Sequence, residues 1–462
     1  MRTSNHLYCT ETKRYFLKII IHRGTHEIGG SCVEVIAGES RLILDLGMPL
    51  FDSFRQPIDS LALGRKSTSE LFDLGILPAV RGLYDAGSVV AERSPDAILL
   101  SHAHLDHTGL LNHSAATVPI YASCGTSKMM LAGSLFAGQA RLSRDRFREI
   151  KSESPIEIGS FLVTAYSVDH SIYAGMAYLI EADGKRLFYS GDLRLHGRKP
   201  SMHRRIISIL RELSVDVLLM EGTHIRSAES QENLPNIPTV GEYELEESIV
   251  TKVRSATGLV LVSFSPQHLD RFVTFIRAAI RTGRVLIVDL YSAFILHLLR
   301  NELPLPVPES SEHLRVYIPK SLSGKAKRKP HVDMVQRYQN VEIRIPEIRE
   351  TPSRFLMVFR PSMLADDFDR ALPPGTNCIY SRWEGYLSSS EWRSTQAHLE
   401  AVEGSLVVEH TSGHISPDDI LDFVRAISPK VTIPIHTFEP QRFAEQVANT
   451  LVLNDGEPYL VK

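Results

Sequence analysis

The chain has 462 residues, of which 43% are hydrophobic and 23% charged, and its 51 basic and 54 acidic residues leave a net charge of −3. That length exceeds one ordinary core and predicts two or three domains of a soluble globular protein. The charge balance excludes a polycation, so any nucleic-acid binding needs a local basic surface. No apolar run approaches the roughly 18 residues of a membrane span, so no membrane partner is expected.

The N-terminal segment holds one short apolar run, FLKIII, broken by a lysine, which predicts a strand and not a secretory leader. Cys9, Cys32, Cys124 and Cys378 are scattered without a C-x-x-C pair. Neither a disulfide framework nor a cysteine zinc site follows, and a cytoplasmic location is expected. Strand-like runs rich in β-branched and aromatic residues fill the first 225 positions. They are YFLKIIIH, SCVEVIAG, RLILDLG, DAILLSH, VPIYAS, SFLVTAYSVDH, GMAYLIEA, KRLFYSGD and VDVLLMEG, most of them ended by Gly, Asp or Ser. A helical pattern runs through GTSKMMLAGSLFAGQARLSRDRFREI. Strands outnumber helices, which predicts an α/β protein with sheets flanked by helices and not a simple alternation.

After residue 225 the texture changes. EYELEESIVTKVRSA, LVLVSF, SPQHLDRFVTFIRAAIRTG and RVLIVDL read as helix, strand, helix, strand, a unit of the parallel doubly wound type. PKSLSGKAKRKPHVDM is polar and basic and predicts a loop. After residue 400 the strand-then-turn texture returns in SLVVEHTSGH and KVTIPIHTF. The pattern predicts one α/β domain inserted into another: 1–225 as the first part of the outer domain, 226–400 as the insert and 401–462 as the outer domain's return.

The densest chemistry lies in SHAHLDHTGLL, residues 101–111. Side chains alternate along a strand, so His102 and His104 face one way as the run AILL emerges into a loop. Asp106 and His107 follow the turn and face a second position. Imidazole and carboxylate are ligands that zinc accepts. A lone histidine or aspartate at a strand end is usually a hydrogen-bonded structural residue, but four in six positions are not explained that way. His170 in SVDHS, Asp192 in YSGDLR, His436 in IPIHTF and Asp45 in LILDLG also sit at strand ends. A dinuclear metal site is expected.

SHAHLDH resembles the H-x-H-x-D-H signature of the metallo-β-lactamase superfamily, and the order Asp45, cluster, His170, Asp192 resembles its successive motifs. The last histidine, His436, lies far along the chain beyond the α/β segment, which resembles the β-CASP branch of nucleic-acid-processing hydrolases. Glu221 in LLMEGTH, His414 in TSGHIS and His436 resemble that branch's later motifs. The resemblance implies a metallo-β-lactamase αββα sandwich with an inserted β-CASP domain, a parallel sheet flanked by helices. It implies two zinc ions, with manganese as the alternative. His102, His104 and His170 are implied to bind one ion, Asp106, His107 and His436 the other, with Asp192 bridging and Asp45 behind the histidine loop. His414 is the implied acid, held by Glu221.

The activity so implied is metal-dependent hydrolysis of RNA phosphodiesters, from the 5′ end, internally, or both. The partner is single-stranded RNA, including 5′-monophosphorylated strands, with single-stranded DNA as the alternative polymer. A small-molecule hydrolase of esters, thioesters or lactams and a catalytically silent RNA-binding scaffold stay open as competing classes. Ser412, Gly413, His414 and Ser416 are the expected phosphate-binding residues. They precede a helix start in which Ser416 is the N-cap, Pro417 the first helical residue and Asp418 and Asp419 its first turn; Ser416 serving only as a cap is the equal alternative. Lys325, Lys327, Arg328 and Lys329 form a basic run for a phosphate backbone or a solvated loop. Trp383 and Tyr386 in SRWEGY are base-stacking or core residues. The sequence specifies no oligomeric state.

Overall fold

The structure, a computed structural model, describes residues 16–85, 93–226, 240–323 and 331–462. Cys9 and the basic run Lys325, Lys327, Arg328 and Lys329 lie outside those residues. Three sheets organise the rest. The first holds β1 (Lys18–Arg23), β2 (Cys32–Ala37), β3 (Ser40–Leu44), β4 (Ala97–Leu99), β5 (Ile120–Ala122) and β6 (Phe147–Glu149). The second holds β7 (Ile156–Ile158), β8 (Phe161–Ser167), β9 (Met176–Ala182), β10 (Lys185–Tyr189) and β11 (Val217–Glu221). The third holds β12 (Val260–Ser263), β13 (Val285–Asp289), β14 (Leu314–Tyr317), β15 (Phe355–Val358), β16 (Asn377–Tyr380) and β17 (Leu406–Val408). The chain then returns: β18 (Val431–Ile435) joins the second sheet beside β11, and β19 (Pro458–Leu460) joins the first beside β1.

The first two sheets pack face to face. Ile19, Val33, Val35, Leu42 and Leu44 of one meet Val163, Tyr178, Ile180, Leu187 and Val217 of the other, all buried. Their outer faces are apolar as well and carry helices. Ile206 and Leu210 of the helix Pro200–Leu213 and Phe423 and Val424 of the helix Pro417–Ile427 cover Leu179, Phe188 and Leu218. Leu63, Leu71 and Leu110 cover Ile43, Ile98 and Ile120 on the opposite side. Four layers result, the expected αββα sandwich.

The third sheet is parallel throughout. Its strands, such as VLVS and VLIVD, read as unbroken apolar runs because helices bury both faces. Leu245, Ile249, Phe272 and Phe275 pack on one face, and Trp392, Leu399 and Ile348 on the other. β17 extends this sheet past position 400.

Two sequence expectations change in detail. The long helix predicted from Gly125 to Ile150 ends at Phe136; Gly138 turns the chain at φ +70°, and the remainder forms a loop and the edge strand β6. The predicted basic loop, 319–334, is helical at both ends: a turn at Lys320–Ser323, and the start of the helix His331–Tyr338. Among the described residues no helix is long and apolar enough to cross a membrane.

Candidate metal centre

Adjacent parallel strands bring the distant motifs together. β3 runs beside β4 with Leu44 opposite Leu99, so Asp45 emerges next to the histidine loop. β11 runs beside β18 with Glu221 opposite Ile435, so Glu221, Thr223 and His436 emerge side by side although the third sheet lies between them in sequence. The carboxyl ends of these strands all open on one cleft, as parallel α/β arrangements favour.

Three imidazoles form the first group. His104 Nδ1 lies 3.1 Å from His102 Nε2 and 3.1 Å from His170 Nε2. His170 Nδ1 stands 2.6 Å from the Gly413 carbonyl, which can only accept, so Nε2 carries the lone pair. The Ser101 hydroxyl donates to Asp45 Oδ2 and faces His102 Nδ1 at 2.9 Å, which turns that ring's Nε2 inward in the same way. Burial comes first among the causes that push all three histidines below the ordinary imidazole range, His104 down to about 4. They are neutral bases, as metal ligands must be.

Asp106, His107, Asp192 and His436 form the second group, with one ligand atom each inside a 4.8 Å span. His107 Nδ1 donates to Asp45 Oδ2 at 2.8 Å, leaving Nε2 3.1 Å from Asp192 Oδ2. His436 Nδ1 faces the Thr223 hydroxyl at 2.8 Å and its Nε2 lies 3.2 Å from Asp106 Oδ2. Burial opposes ionisation of both aspartates, but His107 and His436 outweigh it and hold them well below the carboxylate range. Asp45 and His436 both take positive φ, +58° and +51°. Such strain collects where a side chain must be aimed.

Asp192 joins the groups. Its Oδ2 lies 3.7 Å from His102 Nε2, 3.9 Å from His170 Nε2 and 4.0 Å from His436 Nε2, while its buried Oδ1 has no partner among the described residues. Ligand atoms of a tetrahedral zinc sit roughly 3.4 Å apart when each bond is about 2.1 Å. Converging lone pairs at that spacing, with an orphaned carboxylate oxygen among them, fit a pair of divalent cations.

Beside this lies a third constellation. Glu221 is fully buried; Oε1 accepts from Leu193 N at 2.8 Å, and Oε2 accepts from Thr223 at 2.7 Å and from His414 Nδ1 at 3.0 Å. With Asp192 and His436 these residues also have metal-ligand spacing, but both Glu221 oxygens are already engaged. Burial disfavours the His414 cation, yet Glu221 and then Asp192 outweigh it and lift the imidazole to about 9. That balance favours the protonated imidazole at neutral pH.

The predicted phosphate residues fall around it. A Cβ on Gly413 would stand 2.4 Å from Ser171 Oγ and 3.3 Å from His170 Cε1, so only glycine lets this loop reach the histidine. The Ser412 hydroxyl accepts from His414 N at 3.1 Å and contacts His224. Ser416 caps its helix, accepting from Asp419 N at 3.2 Å.

Sequence reasoning did not single out Ser101, Tyr189, Thr223 or Arg194. Tyr189 donates to Asp45 at 2.6 Å. The fully buried Arg194 reaches Glu242 at 2.7 Å, Asp270 at 2.6 Å, Asp169 at 3.2 Å and the Ser412 carbonyl at 3.5 Å. It thereby ties the loops bearing Asp192, His170 and His414 to two helices that flank the third sheet.

Residues 81–257 match the family described as the beta-lactamase superfamily domain. The chain is 23% identical over 432 residues to Ribonuclease J of Pyrococcus abyssi, covering 91% of this chain and 89% of that one. It is 24% identical over 282 residues to the RNase J-like protein of Methanocaldococcus jannaschii, covering 59% and 57%. It is 21% identical over 439 residues to Ribonuclease J of Helicobacter pylori, covering 91% and 56%. The chain thus spans little more than half the length of the last two. The crystal structure of a protein of unknown function from Enterococcus faecalis V583 shares the fold, with TM-score 0.76 and 20% identity over 96% of this chain and 100% of that one. Over residues 81–257 the chain is thus similar to the beta-lactamase superfamily domain, and at modest identity it is similar to ribonucleases J of several species.

Proposed function

We propose that this protein is a metal-dependent ribonuclease that hydrolyses phosphodiesters of single-stranded RNA, including 5′-monophosphorylated strands, from the 5′ end, internally, or both. The convergence of six His and Asp side chains around Asp192, beside a protonated His414, carries the reading. The relatives' names support RNA as the polymer, and the large third sheet favours a polymer over a small ester. The division 1–225, 226–400 and 401–462 belongs to the same reading, with β17 (Leu406–Val408) carrying the inserted sheet past 400.

His102, His104 and His170 would hold one ion and Asp106, His107 and His436 the other, with Asp192 between them. Five imidazoles favour zinc, and the carboxylates admit manganese. Ions so held supply Lewis acidity and an acidified water at neutral pH. Asp45 fixes the His107 ring and, through Ser101, the His102 ring. His414 gives its proton to the departing oxygen, and Glu221 keeps the imidazole charged and aimed. The Ser412 and Ser416 hydroxyls are engaged in holding His414 N–H and the helix start. Phosphate contact at this loop therefore falls first to His414, with Ser412, Gly413 and Ser416 shaping the cradle.

The test is a cleavage time course on an oligoribonucleotide and its DNA counterpart, each with a 5′-monophosphate and a 3′ label, with zinc or manganese and with a chelator. Metal-dependent loss of RNA supports the reading; shortened ladders indicate trimming from the 5′ end and discrete fragments an internal cut. Intact RNA under every metal condition, or undiminished cleavage by His102→Ala, would overturn it.

A further inference from the structure

The carboxyl edge of the third sheet carries charged and aromatic side chains that the metal cluster does not use. In the order β14-β13-β15-β12-β16-β17, the chain leaves β13 toward one edge and β15 toward the other. It likewise leaves β12 and β16 in opposite directions. Open parallel sheets bind ligands in the crevices such reversals leave at the carboxyl ends. Arg360 stands at the first crevice, just past β15, and Arg382 at the second, just past β16. The edge faces the metal cluster, because β17 continues into the loop whose Gly413 carbonyl meets His170.

The two guanidiniums differ. Arg360 is anchored: its Nε lies 2.9 Å from Asp289 Oδ2, its Nη2 reaches the same oxygen, and its Cζ sits 5.5 Å from the Tyr291 ring centre. Arg382 is half-buried and, among the described residues, has no hydrogen bond or ion pair. Burial and the neighbouring Arg360 lower its pKa, opposed by the phenols of Tyr380, Tyr386 and Tyr291, which are neutral at ordinary pH. A guanidinium held from water without a counter-charge is unfavourable unless a ligand supplies the charge.

Flat rings flank it. Trp383 and Tyr386 are 37% and 56% exposed and stand edge to face at 5.2 Å. The Tyr380 hydroxyl fixes the turn by donating to the Trp383 carbonyl at 2.9 Å. Burial raises the Tyr386 phenol, against the neighbouring Arg382. An unpaired guanidinium beside exposed rings suits a ligand that offers a phosphate and a planar base together.

We propose that Arg382, backed by Arg360 and flanked by Trp383 and Tyr386, forms a subsite for one internucleotide phosphate and its adjacent base, away from the scissile bond. The subsite rests on the ribonuclease reading, and the test separates the two.

Cleavage by the metal-loaded protein is measured on oligoribonucleotides that each carry one neutral methylphosphonate linkage at successive distances from the cut. For the wild type, one position raises KM about tenfold, the scale of a lost charged contact. Arg382→Ala raises KM of the unmodified strand by a similar factor and is indifferent to that position, and Arg382→Lys recovers part of the loss. Tyr386→Ala, at an exposed position that folding tolerates, raises KM, and an abasic nucleotide at the same place adds nothing further. Arg382→Ala retaining the full position-specific penalty, or Tyr386→Ala with unchanged KM, would overturn the subsite while the ribonuclease reading stood. No cleavage by the wild type would remove the ribonuclease reading itself, and the subsite with it.

Discussion

His414 carries the proton in the proposed reaction, and its environment sets when that proton is available. Glu221 and Asp192 lift it to about 9, so the acid form dominates at neutral pH and is lost as pH rises through that value. Cations bound at Asp192 offset part of that charge. The rate is therefore expected to fall on an alkaline limb no higher than about pH 9. Glu221→Gln removes the larger support and moves the limb to lower pH; a limb that stays in place would contradict the pairing. His414→Ala is expected to slow cleavage by about 10²- to 10⁴-fold with metal content, measured by elemental analysis, unchanged. Asp45→Asn leaves the His107 ring without its carboxylate acceptor and is expected to weaken metal affinity about 10- to 100-fold in a competitive chelator titration. The His and Asp side chains that cluster around Asp192 were legible in the sequence because they end strand-like runs within a recognisable spacing. Thr223, Ser101 and Tyr189 were not, since an ordinary hydroxyl becomes informative only through its contacts. Tyr189 meets Asp45 across 144 positions, and Thr223 meets His436 across 213.

At the scale of elements, the close approach of the Ser412–His414 loop to His170 depends on a missing side chain and on a buried charge cluster. Gly413→Ala places a methyl group against Ser171 and His170, so the loop must withdraw. A displacement of about 1 Å at a reacting centre costs about 100-fold, and kcat is expected to fall by that order while the circular dichroism spectrum is retained. Arg194→Ala strands Asp169 and Asp270 away from water and is expected to destabilise the fold by about 3–5 kcal/mol, read from urea unfolding. A loss below about 1 kcal/mol would show that this network does not hold the loops. The helices Glu242–Ser255 and Leu269–Thr282 were legible from their apolar period. The strands β14, β15 and β16 were not, because runs of four residues such as LRVY, FLMV and NCIY are too short to carry a period that separates a buried strand from a helix segment. The predicted helix from Gly125 overran its end for a related reason, since the polar stretch after Gly138 keeps helix-forming residues without a packed face.

For the whole molecule, the arrangement is a four-layer sandwich interrupted between two neighbouring strands. β11 and β18 pair residue by residue although the entire third sheet separates them in sequence. The return of the strand-then-turn texture near the end of the chain made that interruption legible, whereas the docking of β19 on β1 was not, because PYL has no pattern of its own. Six His and Asp side chains gather around Asp192, whose Oδ1 has no partner among the described residues, and cations would complete that arrangement. Metal binding to the folded state is therefore expected to raise the melting temperature and chelation to lower it. The most direct measurement is a stepwise zinc or manganese titration of metal-stripped protein, following bound metal and RNA cleavage together, for the wild type, His104→Ala and His436→Ala. Cleavage is expected to appear with the second equivalent in the wild type, and each variant to retain about one equivalent and no activity. Full activity at one equivalent, or in metal-stripped protein, would contradict a two-metal centre built around Asp192.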